Sequence, residues 1–139
     1  SLHVRAGGRH APGRYMSLLR KLLGKSGEDR AAKHLAGLGY RLLERNYRTP
    51  QGEIDLIALD GDTVVFVEVK TRTNDAFGAP ELAVNPTKQR RMVNAALGYL
   101  KQKKLHSMAC RFDVVAVGGK DAGQVELIRH AFEMDRTRY

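Results

Sequence analysis

The chain has 139 residues, with 24 Lys and Arg against 15 Asp and Glu and a formal net charge of +9. That length fits one domain able to bury roughly two-thirds of its unfolded surface, and the cationic excess suits a polyanionic partner. A single cysteine, Cys110, excludes an intrachain disulfide, and no apolar run approaches the roughly 18 residues of a membrane span. The first 25 residues lack the sustained apolar run of a signal peptide, and no stretch joins a wide apolar face to interfacial aromatics, so a cytoplasmic protein without membrane contact is expected.

Residues 1–16 carry Arg5, Arg9 and Arg14, several glycines and no acid, and read as a disordered basic arm. One domain then spans 17–133, with a polar tail at 134–139. Leu18, Leu19, Leu22 and Leu23 mark a short amphipathic turn or helix. Ser26 can cap the next helix with Asp29 as its capping-box partner. Ala31, Ala32, Leu35 and Leu38 form the apolar face of that helix, and Gly39 ends it. Glu28 precedes Ala31, Ala32 and Leu35 by three, four and seven residues and so shares the core-facing side. A first-turn acid favoured by the helix dipole accounts for Glu28 equally well. Asp29 aligns instead with Lys33 as a solvent-side pair.

Tyr40 to Tyr47 is a first strand. Residues 53–59 and 63–70 follow as a hairpin around Asp60-Gly61-Asp62. With Asp60-Gly61 as the loop, Glu53 falls opposite Glu68. With Gly61-Asp62 as the loop, Asp55 faces Glu68 and Glu53 faces Lys70. Either register gathers Glu53, Asp55, Glu68 and Lys70 on one side of the sheet, whereas a three-residue loop would divide them between faces. Val64, Phe66, Ile57 and Leu59 share that side. A solvated ion-pair surface would be polar along its whole length, and ionised groups amid apolar ones call for a partner or a metal. Two carboxylates at a strand end can hold a hard divalent cation such as Mg²⁺ against a phosphate, and a nearby lysine can orient water or neutralise developing charge.

The loop from Thr73 to Pro86 follows the Lys70 end of the strand. Asn85-Pro86 opens a helix by the N-cap and N1 preferences, running to about Lys104 with Met92, Val93, Ala96, Tyr99 and Leu100 inward. Its remaining surface carries Lys88, Arg90, Arg91, Lys101, Lys103 and Lys104 and no acid, which suits phosphate contact. Phe112 to Val117 is a buried strand, parallel to 63–70 through the helical crossover. Val125 to Phe132 is a last strand or short helix. The expected fold class is α/β, a mixed β-sheet flanked by helices.

Asp55, a gap of 12 residues, then Glu68-Val69-Lys70 resembles the Asp…Glu-x-Lys signature of the restriction-endonuclease-like superfamily. Gly27-Glu28-Asp29 with Ala31-Ala32, Gly39-Tyr40, Gly52-Glu53-Ile54-Asp55-Leu56, Phe66 to Arg72 and Phe112-Asp113-Val114-Val115 together resemble the YraN family, from about Gly27 to Phe132. Those proteins are predicted endonucleases similar to Holliday-junction resolvases. The resemblance implies a Mg²⁺- or Mn²⁺-dependent endonuclease acting on DNA, branched or flapped forms included. It implies Asp55 and Glu68 as metal ligands, Glu28 as a third, Lys70 on the attacking water, and Glu53 assisting or paired with Lys70. Lys88, Gln89, Arg90, Arg91, Lys101 and Arg72 are the expected nucleic-acid contacts. Junction-cutting enzymes often dimerise, so a homodimer is an expectation, though no interface stripe stands out. The alternative is a non-catalytic nucleic-acid-binding module on the same fold; a purely structural partner of another protein comes third.

Other chemistries lack their motifs. Gly24-Lys25-Ser26 ends like a P-loop, but Leu19 stands where its first glycine belongs. His3, His10, His34, His106 and His130 show no zinc spacing. There is no Gly-x-Ser-x-Gly element, and Cys110 reads as a core thiol.

Overall fold

Three antiparallel strands follow one another from Arg41 onward: β1 (Arg41–Thr49), β2 (Gly52–Asp60) and β3 (Thr63–Arg72). The computed structural model describes residues 26–72, 84–118 and 124–134, with the backbone alone at Arg72. The expected basic arm, the leucines at 18–23, most of the 73–86 loop, the turn after Gly118 and the tail beyond Met134 lie outside the described residues. After α2 (Pro86–Gln102), β4 (Ala109–Gly118) lies parallel to β3, with Glu68 beside Val114 and Lys70 beside Ala116. β5 (Gln124–Phe132) is a strand and returns antiparallel, completing a sheet of order β1-β2-β3-β4-β5. The result is the expected mixed α/β arrangement of the restriction-endonuclease-like kind.

Both faces of the sheet are covered. Ala31 and Leu35 of α1 (residues 26–37) pack on Leu56, Ala58, Val65, Val67, Val115 and Val117. On the other face, Met92, Val93, Ala96 and Tyr99 of α2 pack on Ile57, Val64, Phe66, Phe112 and Val114. Central strands sandwiched this way need apolar residues at nearly every position, which explains the unbroken Val64–Val67 and Val114–Val117 runs. Full burial of each such side chain contributes about 1.5–3 kcal/mol, so these layers supply most of the driving force.

Helix boundaries follow local chemistry. Gly39 takes φ +93°, and the Tyr40 amide donates back to the Leu35 carbonyl at 3.0 Å, closing α1 as expected. That reversal carries Leu38 out of the apolar face, where it is 49% exposed rather than buried. Ser26 is already helical, so it does not cap α1. Asp29 forms its ion pair with Arg45 of β1 rather than serving Ser26 or Lys33. At α2, the Asn85 side chain accepts from the Lys88 amide at 2.9 Å and Pro86 occupies the first turn. Lys104 takes φ +59°, which turns the chain and ends α2 at Gln102, two residues before the expected limit.

An ionic knot absent from the sequence reading ties the hairpin end of the sheet together. Asp113 on β4 is fully buried, and both its oxygens accept from the Arg111 guanidinium at 3.0–3.1 Å. Arg111 also donates to Asp60 of β2 at 3.1 Å and to the Tyr40 hydroxyl at 2.8 Å. The His130 amide of β5, at φ +53°, donates to Asp113 at 3.1 Å. One guanidinium and one carboxylate thereby link β2, β4, β5 and the entry to β1.

Removing one partner leaves an uncompensated buried charge. Asp113→Ala is expected to lower stability in urea unfolding by about 3–5 kcal/mol. The joint replacement Arg111→Met with Asp113→Leu should cost less than Asp113→Ala alone; an equal or greater cost would show that packing, not charge, governs this site.

Candidate functional site

The opposite end of the β2–β3 hairpin is where regular pairing fails. The ladder runs from Asp60–Thr63 to Leu56–Val67, so the loop is Gly61-Asp62, with Gly61 at φ +61°. This is the second of the two registers the sequence allows, and it aims Asp55 at Glu68. Beyond Leu56 the strands stop pairing. Ile54 joins the α2-side cluster together with Ile57, three residues on, so strict side-chain alternation is lost over this stretch. The Asp55 carboxylate, not a backbone carbonyl, receives the Val69 N–H, at 2.8 Å.

Asp55 and Glu68 then meet side chain to side chain. Burial pushes the Asp55 carboxyl up to about 7, with the Glu68 charge adding to it; the Val69 amide and Lys88 offset only part. At neutral pH the Asp55 carboxyl is therefore protonated in a large share of molecules. Glu68 Oε1 is buried and accepts no hydrogen bond. Lys88 Nζ lies 3.4 Å from that atom, an ion-pair distance without hydrogen-bond geometry. A carboxylate oxygen left in this state has an unmet need for positive charge.

The third acid stands further back. Burial raises the Glu28 pKa; a hydrogen bond from Asn46 opposes this, and the Asp55 charge adds to it. Asn46 lies between Arg45 and Tyr47, which pair with Leu56 and Ile54, so it sits alongside Asp55. It takes φ +52°, a left-handed conformation that asparagine tolerates better than most residues. Among the described residues, no three acidic, histidine or cysteine side chains converge closely enough to hold an ion as a set. The expected three-carboxylate shell is thus a two-carboxylate contact, with Glu28 restrained at longer range by Asn46. Two carboxylates plus water suit Mg²⁺, which keeps several of its waters. The buried Glu68 oxygen and the raised Asp55 carboxyl fit such a cation.

Lys70 is half-buried, two residues beyond Glu68 on the same side of β3. Glu53 is exposed at the rim and forms an ion pair with Arg48 at 3.4 Å. Of the expected nucleic-acid contacts, Lys88 belongs to the acidic pair itself. The Gln89 side chain is tied to the Val84 carbonyl at 2.7 Å. Arg90 and Arg91 are exposed near the site. Lys101 is exposed on the last turn of α2, roughly 20 Å along the axis from Lys88. The Arg72 side chain lies outside the described residues. Asn46 and the bridging position of Lys88 were missed from sequence; the one available signal was an asparagine inside a strand pattern.

The family model described as Uncharacterised protein family UPF0102 matches residues 27–117. That span includes Glu28, Asn46, Asp55, Glu68, Lys70 and Lys88. A UPF0102 protein of Syntrophus aciditrophicus is 56% identical over 112 residues, covering 80% of this chain and 88% of the relative. One from Geotalea daltonii is 53% identical over 116 residues, covering 82% and 91%. One from Moorella thermoacetica is 45% identical over 120 residues, covering 84% and 100%.

The raised Asp55 pKa has a definite sign. Folding favours the protonated carboxyl, so its stabilising effect is full below the ordinary value of 3.8 and is lost as pH rises through about 7. Asp55→Asn can still accept the Val69 amide and carries no charge. In metal-free buffer at pH 8 it should be more stable than wild type by on the order of 2 kcal/mol in urea unfolding, with the gap closing toward pH 4. A variant less stable than wild type at pH 8 would contradict the like-charge contact.

Proposed function

The chain belongs to the uncharacterised protein family UPF0102, and from that premise we propose that it is a divalent-metal-dependent endonuclease that hydrolyses phosphodiester bonds in DNA, branched and flapped forms included. The observation that carries the reading is the Asp55–Glu68 contact at the parting of β2 and β3, with a buried, unsatisfied carboxylate oxygen. Lys88 offsets only part of the rise that burial and the Glu68 charge impose on Asp55. The +9 net charge and the cationic surface of α2 suit a polyanionic substrate.

Asp55 and Glu68 would hold Mg²⁺ or Mn²⁺, with Glu28 in reserve through water. Such an ion supplies charge neutralisation at the phosphoryl oxygens and acidifies water near it. Ionised Asp55 and Glu68 would supply the carboxylate oxygens for that ion, and Lys88 competes with it for Glu68. Lys70 then orients the water that attacks phosphorus and neutralises charge developing on the phosphoryl group. The attacking water releases a proton to solvent as its oxygen bonds phosphorus, the ester P–O bond opposite it breaks, and the leaving oxygen takes a proton from solvent. Asn46 positions Glu28, keeping it from collapsing onto Asp55.

The purified protein, given Mg²⁺ or Mn²⁺ and single-stranded, duplex, flapped and four-way DNA, is expected to cut at least one of them. Asp55→Asn should abolish both cleavage and the metal-induced rise in melting temperature. Lys70→Ala should lose cleavage and keep that rise. Wild type with neither a metal response nor cleavage would overturn the proposal in favour of a non-catalytic binding module.

A further inference from the structure

We infer that the cleft between the β1–β2 turn and α2 is a phosphate subsite holding the polynucleotide backbone next to the bond that is cut; this rests on the nuclease reading above. The cleft has a volume of about 400 Å³. Arg48, Lys88 and Arg91 line it, and Glu53 is the one acid among its lining residues, which leaves an excess of two positive charges. The first turn of α2 carries no acid, so nothing there repels an anion. The cleft is contiguous with the acidic pair, because Lys88 both lines it and touches Glu68.

Its walls are preformed. Thr49 Oγ1 accepts from the Gln51 and Gly52 amides at 3.1 Å each and donates to the Gly52 carbonyl at 3.0 Å, fixing the turn. A Cβ at Gly52 would lie 2.6 Å from the Arg91 carbonyl oxygen, so turn and helix touch backbone to backbone. That contact fixes the spacing between the turn that carries Arg48 and the helix that carries Arg91. Two of the three cations are held by carboxylates at 3.4 Å, Arg48 by Glu53 and Lys88 by Glu68. Both ends of the Arg48–Glu53 pair are more than half exposed, so a phosphate can displace Glu53 at little cost. Glu53 therefore acts as an occupant of the anion position and not as a metal ligand. A cleft of this size admits one nucleotide unit and no stacked duplex. The bound unit is an internal phosphodiester of a strand passing the site; a strand-terminal phosphate has the same chemistry.

The test uses the full chain carrying Asp55→Asn, which does not cut, and single-stranded oligonucleotides with a 5′-phosphate or a 5′-hydroxyl, with affinity measured across a salt series. Adding Arg48→Gln and Arg91→Gln should weaken binding at least tenfold at low salt and reduce the salt slope by about two. Adding Glu53→Gln should tighten it severalfold. Lys103→Gln with Lys104→Gln removes the same charge from the far end of α2 and should have a much smaller effect. Melting curves verify that each variant folds. An equal penalty on both oligonucleotides supports the internal phosphodiester, and one confined to the 5′-phosphate moves the subsite to a strand end. Unchanged affinity in a protein whose wild type still cuts DNA overturns the cleft and leaves the nuclease reading standing. A wild type that neither binds nor cuts overturns both.

Discussion

Two carboxyl groups are pressed together where strands β2 and β3 part, and most of the remaining structure serves to keep them there. The Asp55–Glu68 contact opposes folding at neutral pH, since burial, and after it the Glu68 charge, raise the cost of ionising Asp55. It persists because the hairpin register and the Val69 amide fix Asp55, while parallel pairing with β4 fixes the strand that carries Glu68. A contact that weakens the metal-free fold is characteristic of a functional position.

The fold divides its charge chemistry between the two ends of the sheet. At the hairpin end, Arg111 and Asp113 satisfy each other completely and draw in Asp60, Tyr40 and the His130 amide. At the other end the same central strands carry Asp55 and Glu68, with Glu68 Oε1 buried and accepting no hydrogen bond. The closed knot fixes the strand ends against which the open site can hold its strain. Helices α1 and α2 each bring one further group to that site, Glu28 and Lys88, from opposite faces of the sheet. The site is thus assembled from two hairpin strands and two helices whose cores are independent, which favours rigidity over adjustment.

Much of this was legible in the residues. The first four strands, the parallel crossover, the Asn85-Pro86 cap and the Gly39 stop follow from local chemistry, while exact limits do not: β4 starts at Ala109, three residues before the expected Phe112. The hairpin register was open between two values because Asp60-Gly61 and Gly61-Asp62 are equally good turns; the fold takes the second, which pairs Ile57 with Phe66. Groups whose roles are set by tertiary neighbours were not legible. Asp29 finds Arg45 across a sequence gap, Lys88 turns to Glu68 instead of solvent, and Glu53 turns to Arg48. The Arg111–Asp113 knot reads in sequence as a polar interruption before a strand, and its partners lie on three other elements. For Asn46 the one local signal of its left-handed backbone is an asparagine inside a strand pattern.

The central claim is that Asp55 and Glu68 form a cation site. Crystals of wild-type protein grown or soaked with Mn²⁺ and measured for anomalous scattering test it most directly. The account predicts one anomalous peak bridging the two carboxylates, with Lys88 withdrawn from Glu68. A saturating soak that leaves the carboxyls in mutual contact, Lys88 in place and no peak between them would contradict it.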